Sequence, residues 1–440
     1  MTLTGVLELE IENTLALNVL FSILSFLAAY YYIKTFIPIF ISRGLYGGDK
    51  CKLTENQVAE PLGCCSCCSL LDIHLCVHTV SFLSVDSRVS GLCCRRKVKI
   101  LRTIENLLKL CFSVHLPYVR LLSLLAAIIS ICTAILLGFA DDILDLRWRH
   151  KLLFPTLSSL PLLMVYYISD DKTAMLLPNF LQNVLNTTYI DLGPLFYVYM
   201  AMLVIFCTNA INIIAGINGI EVGQSLVVAV SITIFNLIQI TRLDQSAVWY
   251  HCLSFCILGP FIGASLGLYL WNRYPARAFV GDTYCYWAGM TLAVVAIIGH
   301  FSKTLLLFLI PQVFNFLYSC PQLFHFVPCP RHRLPRLNKE TGKLEMSMAE
   351  YEPDKISKLG RLFVWILRTF GLLHYREFEK DGKKWVEVNN MTILNLTLKY
   401  GGPVYEYELT NRLLLIQMVC SMIAFFCRFV LSGIFYDNVQ

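Results

Sequence analysis

The chain has 440 residues, 56% of them hydrophobic and only 15% charged, with a net charge of +6. Soluble proteins carry roughly 25% charged residues, so this composition excludes a string of soluble domains. The small positive excess suits basic loops against anionic lipid or phosphate, and no nucleic-acid partner is expected.

Apolar runs of about 20 residues recur along the chain, the length needed to cross a ~30 Å hydrocarbon core. They do not alternate polar with apolar, so they predict helices rather than barrel strands. The N-terminus is acidic (Glu8, Glu10, Glu12) and lacks the basic start of a cleaved signal peptide, so the first run is expected to act as the targeting signal. Cysteines such as Cys207, Cys252, Cys256, Cys420 and Cys427 sit inside apolar runs, where they serve as small hydrophobes; no disulfide framework is expected.

In chain order, spans are predicted at 15–41, 62–85, 117–140, 152–168, 194–214, 222–240, 250–271, 284–300, 304–327 and 413–435. The second is a poor membrane segment, with Asp72, His74 and His78 among Cys64, Cys65, Cys67, Cys68 and Cys76; its spacing is not that of a standard zinc site. The ninth contains Pro311 and Pro321, so a kink is expected. Between 329 and 408 the chain turns polar. Leu359, Leu362, Phe363, Ile366, Leu367 and Phe370 recur at helical spacing and predict a surface helix within 355–373. R-E-F-E-K-D-G-K-K-W-V-E-V predicts two short strands about Asp381-Gly382. The fold class is therefore an all-α polytopic membrane protein of about ten transmembrane helices, with a small cytosolic α+β insert before the last helix. Residues 1–328 hold nine helices and the catalytic loops, 329–408 the insert, and 409–440 the last helix and a lumenal C-terminus.

Alternating the spans puts the loops at 43–61, 141–151, 215–221, 272–283 and 329–408 on one side. Most are basic, which makes that side cytosolic. The basic segment 86–116 falls on the other side, against the same rule. Asn186-Thr187-Thr188 is a glycosylation sequon on the lumenal side, so Asn186 is expected to carry a glycan, whereas Asn390 and Asn395 should stay bare.

Four polar clusters share the cytosolic side. The first, G-F-A-D-D-I-L-D-L-R-W-R-H-K, closes an apolar run with Asp141 and Asp142 and adds Asp145 and Lys151. Ionisable groups at a membrane edge are rarely idle. Adjacent carboxylates suit a divalent cation, and a lysine suits a phosphate oxygen; a helix cap by Asp142 and an Asp145–Arg149 pair form the structural alternative. The second, N-A-I-N-I-I-A-G-I-N-G-I-E, sets Asn209 and Asn212 on one helical face and Asn218-Gly219 in a turn. In the third, F-V-G-D-T, Asp282 stands just before a span, where a cap is the ordinary reading and a second carboxylate arm for a metal the functional one. The fourth, C-P-R-H-R-L-P-R-L-N, places Arg331, His332 and Arg333 between prolines; arginine forks match phosphate, and a basic patch for lipid headgroups is the alternative. Together they form an inventory for metal-assisted phosphoryl transfer between a soluble and a membrane-embedded substrate. A nucleotide-sugar transporter would show two similar halves with broken helices at the midplane, and no internal repeat is evident.

These four motifs closely resemble those of the polyprenyl-phosphate N-acetylhexosamine-1-phosphate transferase superfamily, in its eukaryotic dolichyl-phosphate branch. The match runs from Gly138 to the C-terminus and is much weaker before about residue 116. The resemblance implies ten transmembrane helices in the endoplasmic reticulum membrane, a cytosolic active site, Mg²⁺ dependence, a homodimer and inhibition by tunicamycin. It implies transfer of GlcNAc-1-phosphate from UDP-GlcNAc to dolichyl phosphate; a transferase acting on another UDP-sugar is the near alternative. By motif, Asp141, Asp142, Lys151, Asn212, Asp282 and Arg331 correspond to catalytic residues, with Asn212 and Asp282 as Mg²⁺ ligands. Lys151 and the stretch Ile205, Phe206, Cys207, Thr208, Asn209, Ala210, Ile211, Asn212, Ile213 correspond to the dolichyl-phosphate site. Gly48, Asp49, Lys50, Glu60, Trp148, Asn218, Phe279, Arg331, His332 and Arg333 correspond to UDP-GlcNAc contacts. Three departures stand out: Ala59-Glu60-Pro61-Leu62-Gly63 replaces a P-E-S-x-G-like stretch, Asp145 stands where asparagine is common, and the Cys-rich second run with the long basic segment after it is unlike the compact family pattern.

Overall fold

A computed structural model describes residues 3–49, 51–52, 57–68, 118–144, 148–169, 173–243, 245–330, 333–380 and 382–435. The long helices are α1 (Leu3–Ser42), α2 (Tyr118–Leu144), α3 (Trp148–Ser169), α5 (Pro194–Ile213), α6 (Ile220–Arg242), α7 (Gln245–Asn272), α8 (Gly281–Ile298) and α13 (Glu406–Phe426). Shorter helices among the described residues are α4 (Asn179–Leu185), α9 (Ser302–Phe308), α10 (Ile310–Leu323), α11 (Lys358–Thr369), α12 (Ile393–Gly401) and α14 (Ser432–Phe435), and residues 63–68 are helical too.

Among the described residues, seven helices are long and apolar enough to cross a membrane, and the bent pair α9–α10 makes an eighth. Leu153–Ile168, expected as a span, is a shorter apolar helix. Most of the predicted second span, 62–85, lies outside the described residues, as do His74, His78 and the basic segment 86–116. The ninth span is not one kinked helix. It breaks at Leu309 and turns by 73° between α9 and α10. The break precedes Pro311, whose ring suits the first turn of the new helix better than an interior.

Helix α8 is the axis of the bundle, with every residue from Thr283 to Ile298 buried. It packs against α2 and α5 through glycines. A Cβ on Gly138 would meet Thr283 Cα at 2.8 Å, and one on Gly289 would meet Thr208 Cα at 2.4 Å. Along α7, Gly259, Gly263 and Gly267 recur every four residues and face α1; their Cβ atoms would strike Asn18, Ser22 and Phe26. Small residues at that spacing let membrane helices approach closely.

Interrupted helices leave backbone carbonyls that lipid cannot satisfy. Three buried glutamines meet them. Gln224 Nε2 donates to Ile211 O (3.0 Å) and Ile214 O (2.8 Å) at the end of α5, and Gln417 Nε2 donates to Phe308 O (2.8 Å) at the α9–α10 break. Gln312 Nε2 donates to both Gln224 Oε1 and Gln417 Oε1, each at 2.8 Å, tying α6, α10 and α13 together.

Among the described residues, four small antiparallel sheets decorate the helices. Strands β1 (Tyr46–Gly48) and β2 (Gln57–Ala59) form one, β3 (Ala174–Leu176) and β4 (Tyr189–Asp191) a second, β5 (Arg336–Leu337) and β6 (Leu344–Glu345) a third. In the region expected as an insert, β7 (Met348–Tyr351), β8 (Tyr375–Lys380) and β9 (Lys383–Asn389) pair in the order β7-β9-β8. The expected strands and the expected surface helix are β8, β9 and α11. The sheet is sewn to α10: Ser319 Oγ donates to Met391 O (2.6 Å), Met391 N–H to Gln322 Oε1 (2.8 Å) and Ile393 N–H to Asn315 Oδ1 (2.8 Å). Asn186 is exposed at the end of α4, whereas Asn390 and Asn395 are buried.

The close approach of α1 and α7 gives the first prediction. Gly263→Val drives a side chain into Ser22 O, which an added Cβ already meets at 2.0 Å. It is expected to lower unfolding free energy in detergent by about 1–3 kcal/mol. Gly433→Ala, with no atom within 4 Å of the added Cβ, is expected to leave the thermal midpoint unchanged.

Candidate active site

The N-terminus of α8 is where the separate motifs meet. Gly281 opens it with φ +70°, a conformation that favours glycine, and a Cβ there would meet Pro61 at 2.3 Å and Asp142 Oδ2 at 2.7 Å. Loop residues 59–63 lie alongside: Phe279 N–H donates to Ala59 O (2.9 Å), Leu62 N–H to Phe279 O (2.9 Å) and Gly63 N–H to Val280 O (3.0 Å). The first loop is thereby bound to the start of α8, although more than two hundred residues separate them.

Asp141 and Asp142 perform different tasks. Asp142 does not cap the helix that follows it in sequence. Its carboxylate accepts from Asp282 N–H (2.6 Å), Thr283 N–H (2.8 Å) and the Thr283 hydroxyl, capping α8 from another helix. Asp282 is thus relieved of the capping task that its place in sequence suggested. Its carboxylate turns sideways, accepting from Lys151 Nζ (2.7 Å) and Asn212 Nδ2 (2.6 Å). Asp141 is buried and pairs with Lys151 Nζ at 3.0 Å, with Tyr286 OH 3.4 Å away. Lys151 therefore bridges two carboxylates. The Asp145–Arg149 pair lies outside the described residues.

Beside Asp282 opens a cavity of about 450 Å³, within the range for small-molecule sites. Gly48, Asp49, Glu60, Asn212, Asn218, Phe279 and Asp282, all singled out from sequence, line it. Of the stretch Ile205–Ile213, Asn212 alone reaches its wall among the described residues. Cys207, Thr208, Ala210 and Ile211 are buried in helix packing, and Asn209 Nδ2 donates back to Ile205 O at 2.8 Å. Trp148 opens α3. Lys50, Arg331 and His332 lie outside the described residues. Arg333 is half-buried, with Nη1 enclosed and without a partner among the described residues. The next residue, Leu334, lines the cavity against Gly216, so the arginine loop does arrive at this site.

The turn after α5 is braced by Asp49 and by residues that sequence reasoning did not single out. Glu221 Oε1 accepts from Gly216 N–H (2.8 Å), Glu406 Oε1 from Asn218 N–H (2.7 Å), and Thr410 Oγ1 donates to Asn218 O (3.0 Å). Asp49 Oδ2 accepts from Asn218 Nδ2 (3.1 Å) and pairs with Lys52 (2.6 Å). Asn395 Nδ2 donates to Arg333 O (2.9 Å), holding the arginine loop. Acids in the first turns of two apolar helices, Glu221 and Glu406, were the available signal.

Electrostatics favour a cation here. Among the described residues, Asp141, Asp142, Asp282 and Glu60 stand against Lys151. Burial, then the carboxylates of Asp142 and Asp282, pushes the Glu60 carboxyl up to about 7. The donor set suits a hard divalent ion: the Asn212 amide and the Asp282 carboxylate converge at the cavity wall, and an amide turned over presents oxygen in place of nitrogen.

Residues 124–300 match the family model described as glycosyl transferase family 4. The chain is 45% identical over 325 residues to the UDP-N-acetylglucosamine–dolichyl-phosphate N-acetylglucosaminephosphotransferase of Saccharomyces cerevisiae, covering 73% of this chain and 71% of that one. It is 36% identical over 438 residues to the enzyme of the same name from Schizosaccharomyces pombe, covering 97% and 95%. Against the phospho-N-acetylmuramoyl-pentapeptide-transferase of Aquifex aeolicus it is 28% identical over 215 residues, 46% of this chain and 56% of that one.

Two outcomes are expected. Asp142→Ala removes the cap of α8 and should lower unfolding free energy by about 1–2 kcal/mol, with Asp142→Asn intermediate because its one amide oxygen still accepts; both are read by thermal unfolding in detergent. Glu60 binds its proton more tightly when folded, so its contribution to stability is full below about pH 4.5 and fades as pH rises through about 7. With no cation added, thermal midpoints measured across that window should fall for the native chain and flatten for Glu60→Gln.

Proposed function

The chain belongs to the family of eukaryotic UDP-N-acetylglucosamine–dolichyl-phosphate N-acetylglucosaminephosphotransferases, and from that membership we propose that it transfers GlcNAc-1-phosphate from UDP-GlcNAc to dolichyl phosphate. The products are GlcNAc-diphosphodolichol and UMP. The observation that carries the reading is the meeting of Asn212 and Asp282 at the wall of a cavity lined by Asn218 and Phe279, with Lys151 bonded to Asp282 from the other side.

One phosphate oxygen of dolichyl phosphate attacks the β-phosphorus of UDP-GlcNAc; the new P–O bond forms as the bond to the UMP oxygen breaks. A phosphate monoester has a second pKa near ~6, so the attacking oxygen is mostly ionised at neutral pH and needs no strong base. Lys151, exchanging its carboxylate partners for the lipid phosphate, binds and orients the acceptor. Asp141, buried beside it, takes the residual proton. Asn218 and Phe279 hold the uridine, with Gly48, Asp49, Lys50, Glu60 and Trp148 as further contacts of the nucleotide sugar. Arg331, His332 and Arg333 bind the diphosphate and the GlcNAc, and the arginine forks match the charge that spreads over the transferring phosphoryl oxygens. Asp142 keeps Asp282 aimed into the site through its backbone. Asn212 and Asp282 would hold Mg²⁺, which neutralises diphosphate charge when bound.

The expected setting is the endoplasmic reticulum membrane, with the site facing the cytosol, a glycan on lumenal Asn186, a homodimeric assembly and inhibition by tunicamycin. The decisive assay follows radiolabelled UDP-GlcNAc into lipid. UMP release should depend on dolichyl phosphate and on Mg²⁺ and stop with tunicamycin; release without dolichyl phosphate would overturn the reading. Asn212→Ala and Asp282→Ala are expected to lose turnover by on the order of 10²-fold or more, and near-native rates at saturating Mg²⁺ would overturn their assignment as its ligands.

A further inference from the structure

Helix α11 presents a second apolar face that no described part of the protein covers. Its inner face, with Gly360 and Val364 buried, packs on the molecule. Its outer face carries Leu359 (43% exposed), Leu362 (49%) and Trp365 (63%), continued by Phe370 (74%) just past its end. Isolated exposed apolar residues are ordinary, but four along one stripe of a helix in an otherwise polar segment mark a contact surface.

Two observations identify what covers it. The first is position. A Cβ on Gly360 would meet Phe326 O at 2.1 Å, so the first turn of α11 is pressed against the chain just after α10 ends at Leu323. Phe363 stacks on Phe326 with ring centroids 5.9 Å apart, and Tyr318 OH on α10 donates to Leu372 O at 2.7 Å. Helix α11 thus runs beside the end of a broken membrane span, where Leu317 (63% exposed) and Phe324 (58%) are exposed as well. The second is charge. Lys358 and Arg361 are exposed next to the stripe, long side chains that reach headgroups while their stems stay in the acyl boundary. An apolar face with a tryptophan, edged by Lys and Arg, is the pattern of a helix lying in the plane of a membrane interface.

We propose that α11 lies on the anionic leaflet at which α10 leaves the membrane, with Leu359, Leu362, Trp365 and Phe370 in the acyl boundary and Lys358 and Arg361 at the headgroups. The occupant is the lipid surface itself. Because the arginine loop precedes α11 in the same segment, this contact fixes the height of that loop above the leaflet, whatever reaction the site performs.

The test uses the full chain in nanodiscs, with the fluorescence of Trp365 taken as the difference between the native protein and Trp365→Phe. Lipids brominated near the top of their acyl chains should abolish that component, while aqueous iodide should leave it intact. Raising the fraction of phosphatidylserine should strengthen the bromolipid quenching, and Lys358→Gln with Arg361→Gln should remove that dependence. Quenching by iodide and not by bromolipid would place the face in water. Protection from both would place it under another protein or a second copy. Either result overturns the proposal, as does bromolipid quenching that ignores both the anionic lipid and the two basic residues.

Discussion

The capping of α8 by Asp142 is the contact on which the site depends. A helix that begins within a bundle of membrane helices exposes several N–H groups and a partial positive charge where water is scarce. Asp142 reaches across from α2 and accepts from two of those amides and from the Thr283 hydroxyl. This requires the backbones to be almost in contact, which Gly138 and Gly281 permit because a Cβ on either would collide. A helix cap of this kind contributes about 1–2 kcal/mol. Its larger consequence is geometric: Asp282, the first acid of α8, is left with a carboxylate aimed at Lys151 and Asn212.

Around that point the protein sorts its charges. On the α3 side, Lys151 is the cation that the described residues place between Asp141 and Asp282, and it sits on a helix leading into the apolar layer. On the opposite side, the turn carrying Asn218 is fastened by Glu221, Glu406, Thr410 and Asp49. The buried thiol of Cys51 belongs to the same brace, its pKa pushed up to about 12 by burial and then by Glu406 and Asp49, so it remains a neutral filler beside the acids. A fixed wall facing an exchangeable ammonium suits one substrate held by shape and another held by charge.

The membrane layer explains features that a soluble bundle would not need. The break between α9 and α10 leaves carbonyls that lipid cannot serve, and Gln224, Gln312 and Gln417 meet those of the break and of the end of α5 through one shared network. Redirected by the break, α10 carries the polar insert through Asn315, Ser319 and Gln322, and the insert in turn holds Arg333 through Asn395. The sequons at Asn390 and Asn395 are buried because these residues do structural work in that joint.

Much of this was legible in the residues. Apolar runs placed most of the described long helices, because a run of membrane length that does not alternate satisfies its backbone in lipid as a helix. Period-2 patterning around Asp381-Gly382 placed β8 and β9, and period-3.6 patterning placed α11. Charges at the ends of apolar runs marked the loops that form the site, since such charges persist only when paired or used. Sequence alone did not show which aspartate caps and which faces the cavity, since capping depends on the helix that lies nearest and not on the one that comes next in the chain. Nor did it show that Cys207, Thr208, Ala210 and Ile211 are packing residues while Asn212 alone reaches the cavity, or that Glu221 and Glu406 brace the turn. One-dimensional pattern determined where the membrane elements lie and which chemistry they carry. The pairing of Asp142 with α8, of Lys151 with Asp282 and of residues 59–63 with 278–280 was decided only when helices far apart in sequence were packed through their glycines, because contacts at hydrogen-bond range depend on helix rotation and depth that no local periodicity encodes.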